Sequence, residues 1–349
     1  MMRSALLQSA AHWLGAGAVD GALFAVVVWL ASVTLLRRST ERVVALAWLA
    51  ALVKFVVVQP LEMRAVPLRL AVARPGDAAP GGPGYGWLAI IYGVVVALLL
   101  TRMVVRQSRL RRRVAGFSRA EIPLMTAVGK AAATLGLAGL PDVRVSEEPL
   151  APFTLGPWRP TLVLPRWICA PGARLDAVLL HELAHFARGD HWVLWFERLV
   201  ATVFFFWPPV HWVSAKLDQA RELACDERAI RRGALAPAEY GLHLVDVVAA
   251  ARGQRAMGGA LAIGSGSGRL ERRIDRLLAA SWGQRTSWRE GAALTVLAVG
   301  LFVGLRPAHA PDPIAPPAAK GYPVGGACDG SAMSKYVPEP PEVACASRR

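Results

Sequence analysis

Four stretches of the chain are apolar for long enough to be read as membrane spans: Leu14–Leu36, Val43–Val58, Trp87–Val105 and Trp288–Leu305. A bilayer core takes roughly 20 apolar residues as helix. The second stretch is the shortest and carries Lys54 near its end, where a long side chain can snorkel to the interface. Between the second and third stretches, RPGDAAPGGPG at 74–84 reads as extramembrane coil. Residues 106–287 follow another pattern. Apolar positions at helical spacing predict helices over Ala120–Leu137, Arg174–Arg188, Ala215–Arg232 and Pro237–Ala251. Val143–Ser146, Thr154–Leu155 and Thr161–Leu164 read as short strands separated by Pro and Gly. GSGSG at 264–268 reads as a flexible linker.

One further apolar run, Trp192–Val213, is interrupted by Glu197 and Arg198, and Pro208 and Pro209 break it near its far end. Charges are costly at the bilayer centre, so this run is expected to enter or lie on the membrane as a hairpin without crossing it. The fold class expected is a mainly α membrane protein. It has four transmembrane helices and an α+β domain between the third and fourth. The chain divides into a three-span region (1–105), a cytosolic domain (106–287) with the hairpin at about 192–213, a fourth span (288–306) and a Pro-rich tail (307–349).

Composition agrees with a membrane protein. Of 349 residues, 54% are hydrophobic and only 19% charged, too apolar for an ordinary soluble protein of this size. A net charge of +15 raises nucleic acid as a partner. No nucleic-acid-binding signature accompanies it, and basic loops on anionic lipid account for it. Arginines crowd three places: 37, 38 and 42 after the first span, 106–113 after the third, and 269–289 before the fourth. The positive-inside rule then puts the N-terminus outside, residues 106–287 in the cytosol and the tail outside. The first apolar run lacks a cleavage-site pattern and is expected to stay as an anchor. Cys328 and Cys345 in the tail are a candidate disulfide if the tail is outside.

The chemistry sits at 181–192, HELAHFARGDHW. His181 and His185 are i and i+4 on one predicted helix, so both imidazoles project from one face toward one point. Two such histidines with a glutamate after the first form the HExxH arrangement of zinc peptidases. Glu182 is then the base that takes a proton from water acidified by one Zn2+ per chain. A catalytic zinc wants a third protein ligand. His191 is too close along the helix, His211 follows a double proline, and His243 is isolated in an amphipathic helix. RELACDERA offers the better candidate, Glu222, with Asp226 one turn later to hold a histidine ring. Asp190 is a second candidate for that outer role, with an ordinary helix-ending turn as the equal alternative. Thr161, Leu162, Val163 and Leu164, bounded by Pro160 and Pro165, are expected to form an edge strand that receives substrate backbone. A plain core strand is the alternative.

Five ordered blocks carry a resemblance: PFTLGPWRPTLVLP at 152–165, HELAHFARGDHW at 181–192, FWPPVHW at 206–212, ELACDERA at 222–229 and RLERRIDRLL at 269–278. Together they resemble the peptidase domain of the BlaR/MecR antirepressor family of membrane zinc metallopeptidases, which implies a zincin-like fold for the domain and a bacterial inner membrane as its location. The resemblance implies His181, His185 and Glu222 as zinc ligands and Glu182 as the base. It also implies signal transduction by cleavage of a cytosolic protein, such as a winged-helix transcriptional repressor, or of the chain itself. Direct nucleic-acid binding is not expected, and a homo-oligomer is compatible with the family's layout. The β-lactam-sensing members carry a penicillin-binding domain after the fourth span. The tail here has no SxxK, so direct β-lactam sensing is not expected. Two alternatives remain: an HtpX-like quality-control protease, and a non-catalytic membrane receptor or scaffold.

Overall fold

The computed structural model describes residues 2–57, 62–63, 86–148, 150–257, 267–279 and 304–305. The loop at 74–84, almost all of the expected fourth span, the tail and its two cysteines lie outside the described residues. So do residues 264–266 of the expected linker. Nine helices are described: α1 (Met2–Val33), α2 (Glu41–Lys54), α3 (Gly86–Ala115), α4 (Ile122–Leu135), α5 (Ala173–Arg188), α6 (Asp190–Val203), α7 (Pro208–Gly233), α8 (Pro237–Met257) and α9 (Ser267–Ala279). The strands are β1 (Glu62–Met63), β2 (Ser118–Arg119), β3 (Asp142–Ser146), β4 (Phe153–Leu155), β5 (Thr161–Pro165) and β6 (Gly304–Leu305). The molecule is therefore mainly helical with a small sheet.

Among the described residues, two helices are long and apolar enough to cross a membrane, over Trp13–Val33 in α1 and Trp87–Ala115 in α3. α3 leaves Trp87, Ile90, Ile91, Val94 and Leu98 exposed, as a lipid-facing helix would. The second expected span is shorter than its sequence suggests. α2 has 14 residues, a rise of about 21 Å at 1.5 Å per residue. Lys54 does not snorkel: it is 2% exposed, with Asp20 of α1 as its electrostatic neighbour. Gly304 and Leu305, at the end of the expected fourth span, are extended and pair in parallel with Glu62 and Met63.

Two apolar cores organise the rest. One joins α4, β3, β5, α5, α8 and α9, with Leu162, Leu164, Leu179 and Leu183 at its centre. The other joins α1, α2, α6 and α7 through Phe24, Trp48, Phe55, Phe204, Val210 and Val213. α7 belongs to both. Val210, Val213, Leu217 and Ala220 pack in the second core, and Ala229 and Ile230 in the first. Pro208 and Pro209 do not simply end the apolar run. They occupy the first turn of α7, where their missing N–H groups cost nothing. α6 and the start of α7 thus form a helical hairpin against α1 and α2. The Tyr92 hydroxyl of α3 donates to the Val203 carbonyl, 2.8 Å away at the end of α6.

The sheet has the order β2-β3-β5-β4, with β3 and β5 parallel and the outer pairs antiparallel. This corrects the expected edge strand. Thr161, Leu162, Val163 and Leu164 lie in β5, paired on both sides, and Leu162, Val163 and Leu164 are fully buried. The flanking prolines limit the strand's length but leave the amides between them free to pair. The edge on that side is β4.

α1 and α2 approach closely at Gly21, where an added Cβ would stand 2.5 Å from the Phe55 ring. Gly21→Leu is expected to force the pair apart at a cost of about 1–3 kcal/mol. Thermal unfolding of the full chain in detergent would read this as a lowered midpoint, and an unchanged midpoint would refute the close packing.

Candidate metal centre

α5 presents His181 and His185 on the face turned toward α7, and α7 presents Glu222 back. His181 Nε2 lies 3.5 Å from Glu222 Oε2, and His185 Nε2 lies 3.7 Å from Glu222 Oε1. One ligand atom from each of the three residues falls within 4.8 Å of the others. Ligands at 2.0–2.1 Å around a tetrahedral ion stand roughly 3.3 Å apart. The donor set therefore fits a divalent ion after small contraction.

Each histidine ring is held from behind. His181 Nδ1 stands 2.9 Å from Asp226 Oδ1 and 3.0 Å from the Tyr240 hydroxyl. His185 Nδ1 stands 2.8 Å from Asp190 Oδ2. A proton on each Nδ1 leaves each Nε2 lone pair aimed at the space beside Glu222. Asp190 reaches His185 because Gly189 takes a left-handed φ of 71°, ending α5 and starting α6 in one residue. Gly adopts that conformation without the steric cost of a Cβ.

Asp226 is fully buried and collects three partners. The Tyr240 hydroxyl donates to its Oδ1 at 2.7 Å. Arg273 of α9 donates from Nε to Oδ2 at 2.8 Å and from Nη2 to Oδ1 at 2.6 Å. Burial opposes the carboxylate's charge, but Arg273 and His181 outweigh it and hold the Asp226 pKa down at about 2. Arg273 also places Nη1 3.1 Å from Glu222 Oε2. Burial works against Glu222 in the same way, and the hydrogen bond to His181 with the charges of His185 and Arg273 keeps it well below the usual carboxylate range. For His181, burial disfavours the cation, yet its bonds to Asp226 and Glu222 raise its pKa to about 10.

Glu182 lines the same cavity, of about 610 Å³, with His181, His185, Glu222, Arg273 and Phe153 and Thr154 of β4. Burial pushes its pKa up, against the pull of His181 and His185. A second trio, His185, Asp190 and Cys225, also lies within ligand reach. It uses the ring nitrogen already bonded to Asp190, and burial first and Asp190 second push the Cys225 thiol well up, so it is not a thiolate.

The structure brings together all six expected residues of the centre: His181, Glu182, His185, Glu222, Asp226 and Asp190. Thr161, Leu162, Val163 and Leu164 do not reach it, since none of them lines the cavity. Tyr240 and Arg273 were not foreseen. The signal lay in helical phase: Arg273 and Leu277 follow Leu270 at i+3 and i+7, and Leu244 and Val247 follow Tyr240 at i+4 and i+7. Both residues ride on apolar faces. Asp190→Ala is expected to weaken divalent-metal binding about 10–100-fold. Competition with a chelator on folded protein measures this, and wild-type affinity would count against the Asp190–His185 contact.

Residues 84–277 match the family model described as BlaR1 peptidase M56. Among curated proteins, the chain is similar to Regulatory protein BlaR1 of Bacillus licheniformis, 37% identical over 87 residues. Those residues are 24% of this chain and 14% of that relative, so the likeness spans a small part of the relative's length. The family match covers more than half of the chain and includes every residue of the centre just described. By that match, the chain belongs to the BlaR1 family of M56 metallopeptidases.

Proposed function

We propose that the protein is a membrane-embedded zinc metalloendopeptidase of the antirepressor type, with His181, His185 and Glu222 as ligands and Glu182 as general base. One observation carries the reading: two imidazoles from α5 and a carboxylate from α7 converge, with each ring's far nitrogen tied to a buried carboxylate. A zinc ion held there would acidify water and polarise a scissile carbonyl. Glu182 takes the proton from the attacking water and passes it to the leaving amine. Asp226 and Asp190 fix the two rings in the tautomer that ligation requires. The free edge of β4 lines the cavity through Phe153 and Thr154. An extended substrate segment paired there would carry its carbonyl across the site.

The membrane arrangement supports a cytosolic site close to the bilayer. His185 and Glu222 meet at one point, so the chain between them returns to the side from which it left. A single crossing would separate them by ~30 Å of hydrocarbon. Arg111 lies over the Trp158 ring, 6.0 Å from its centroid. Trp158 in turn meets Trp192 and Trp195 at the start of α6, each at 5.5 Å. Tryptophan with arginine marks a membrane–water boundary. The reading has four spans, an outside N-terminus, an outside tail and a cytosolic protein substrate, a winged-helix repressor or the chain itself.

Glu182→Gln is expected to keep zinc and lose 10²–10⁴-fold in cleavage rate, about the share of a general base. Metal analysis and peptide cleavage on one detergent preparation measure both, and retained cleavage would sink the assignment. For topology, Ser118→Cys and Ala236→Cys flank the hairpin, one well before it and one after. In a background without Cys169, Cys328 and Cys345, an impermeant thiol reagent is expected to label both in inverted vesicles only. Labelling from opposite faces would overturn the hairpin; labelling of both from outside would reverse the orientation.

A further inference from the structure

We propose that Arg273 is a positioning residue of the metal centre. It holds Glu222 in ligating orientation and fixes Asp226 as the acceptor for His181, an inference that rests on the zinc reading above. Glu222 and Asp226 are one turn apart on α7, and both point at the site. Arg273 bridges them from α9: Nε and Nη2 take the two oxygens of Asp226, and Nη1 takes Glu222 Oε2. A guanidinium can do this because its donors lie in one plane at fixed angles. Oε1 of Glu222 and the remaining lone pairs of Oε2 stay open toward the two Nε2 atoms.

The charge balance gives the bridge its purpose. Three carboxyl groups crowd the site: Glu182 and Glu222 line the cavity, and Asp226, behind the His181 ring, has no exposure to water. In the neutral form that ligation requires, the two imidazoles offset none of that charge. A divalent ion and one guanidinium offset all three. Without Arg273, Asp226 would keep Tyr240 and His181 as donors, and Glu222 would be free to swing away. The side chain of Arg273 is 15% exposed, so solvent does not substitute for it readily. A lysine supplies the charge but no planar fork.

The test uses full-length protein in detergent, with zinc and cobalt(II) as probes. Arg273→Ala and Arg273→Lys are compared with Arg272→Ala, an exposed neighbour on the same helix. Arg273→Ala is expected to lose about 10–100-fold in zinc affinity, the range for residues that orient ligands. Its cobalt d–d absorption is expected to shift, since the spectrum reports ligand geometry. Arg273→Lys is expected to recover thermal stability but not the wild-type spectrum, and Arg272→Ala to change neither. Wild-type affinity with a wild-type spectrum in Arg273→Ala would overturn the proposal. So would a lowered melting point in metal-free protein with an unaltered cobalt spectrum, the mark of a merely structural arginine. If Arg273→Ala does not fold, a wild-type cobalt spectrum in Arg273→Lys would overturn it equally. His185→Ala separates the two readings. Wild-type protein that binds one zinc and loses it in His185→Ala keeps the centre, whatever Arg273 does. Wild-type protein that takes up no metal removes the centre and this proposal together.

Discussion

The molecule depends on the crossing of α5 over α7. Each helix contributes a pair of polar residues one turn apart, His181 with His185 and Glu222 with Asp226, and the pairs face each other. Such a meeting needs a fixed register, since a slip of one residue turns a helix by about 100° and scatters all four groups. The register is held from two sides at once. The first half of α7 is packed in the apolar core with α1 and α2, and its second half in the core with α4 and α5. Glu222 falls between the two. A rigid helix with both ends buried can hold a polar side chain in the middle at a defined place.

Polarity at that place is costly, and the structure compensates for it group by group. Buried charges are tolerated when paired and hydrogen-bonded. Asp226 meets Arg273, Tyr240 and His181. Asp190 meets His185 and Arg188. Arg221 in α7 meets Glu197 of α6 at 3.6 Å, and also Asp218. Glu197, one of the two charges that interrupt the apolar run after the histidines, is therefore part of how α6 and α7 recognise each other. Glu197 sits on the inside of the hairpin, and Arg198 beside it is exposed.

Much of this was legible in the sequence because local spacing decides it. The i, i+4 histidines, the helix beneath them and the Glu222–Asp226 pair follow from a period of 3.6. The strands near 143, 154 and 161 follow from composition and their Pro and Gly boundaries. Legibility failed where an answer depended on a distant neighbour. Whether Thr161–Leu164 is an edge depends on where Phe153–Leu155 pairs, which no local pattern states. Lys54 reads as an interfacial residue until α1 is packed beside it. Arg273 is one arginine among several in its block, and its partners lie 47 and 51 residues earlier. Its position on an apolar face was the one local hint. The prolines at 208 and 209 were read as a stop, and in this chain they are a start.

The first turn of α2 is built from the far end of the chain. The Glu41 amide donates to Glu227 Oε2 of α7 at 2.8 Å, and its side chain accepts from Arg276 of α9 at 2.5 Å. An expected anchor, the helix that carries Glu222 and the trailing arginine block are thus tied at one point, beside the carboxylates of the site. A fragment starting at residue 106 would leave Glu227 without that amide, Arg276 without its carboxylate and one flank of α7 bare. A piece that keeps these contacts beside the candidate centre is one that keeps α2, and α1 packed against it.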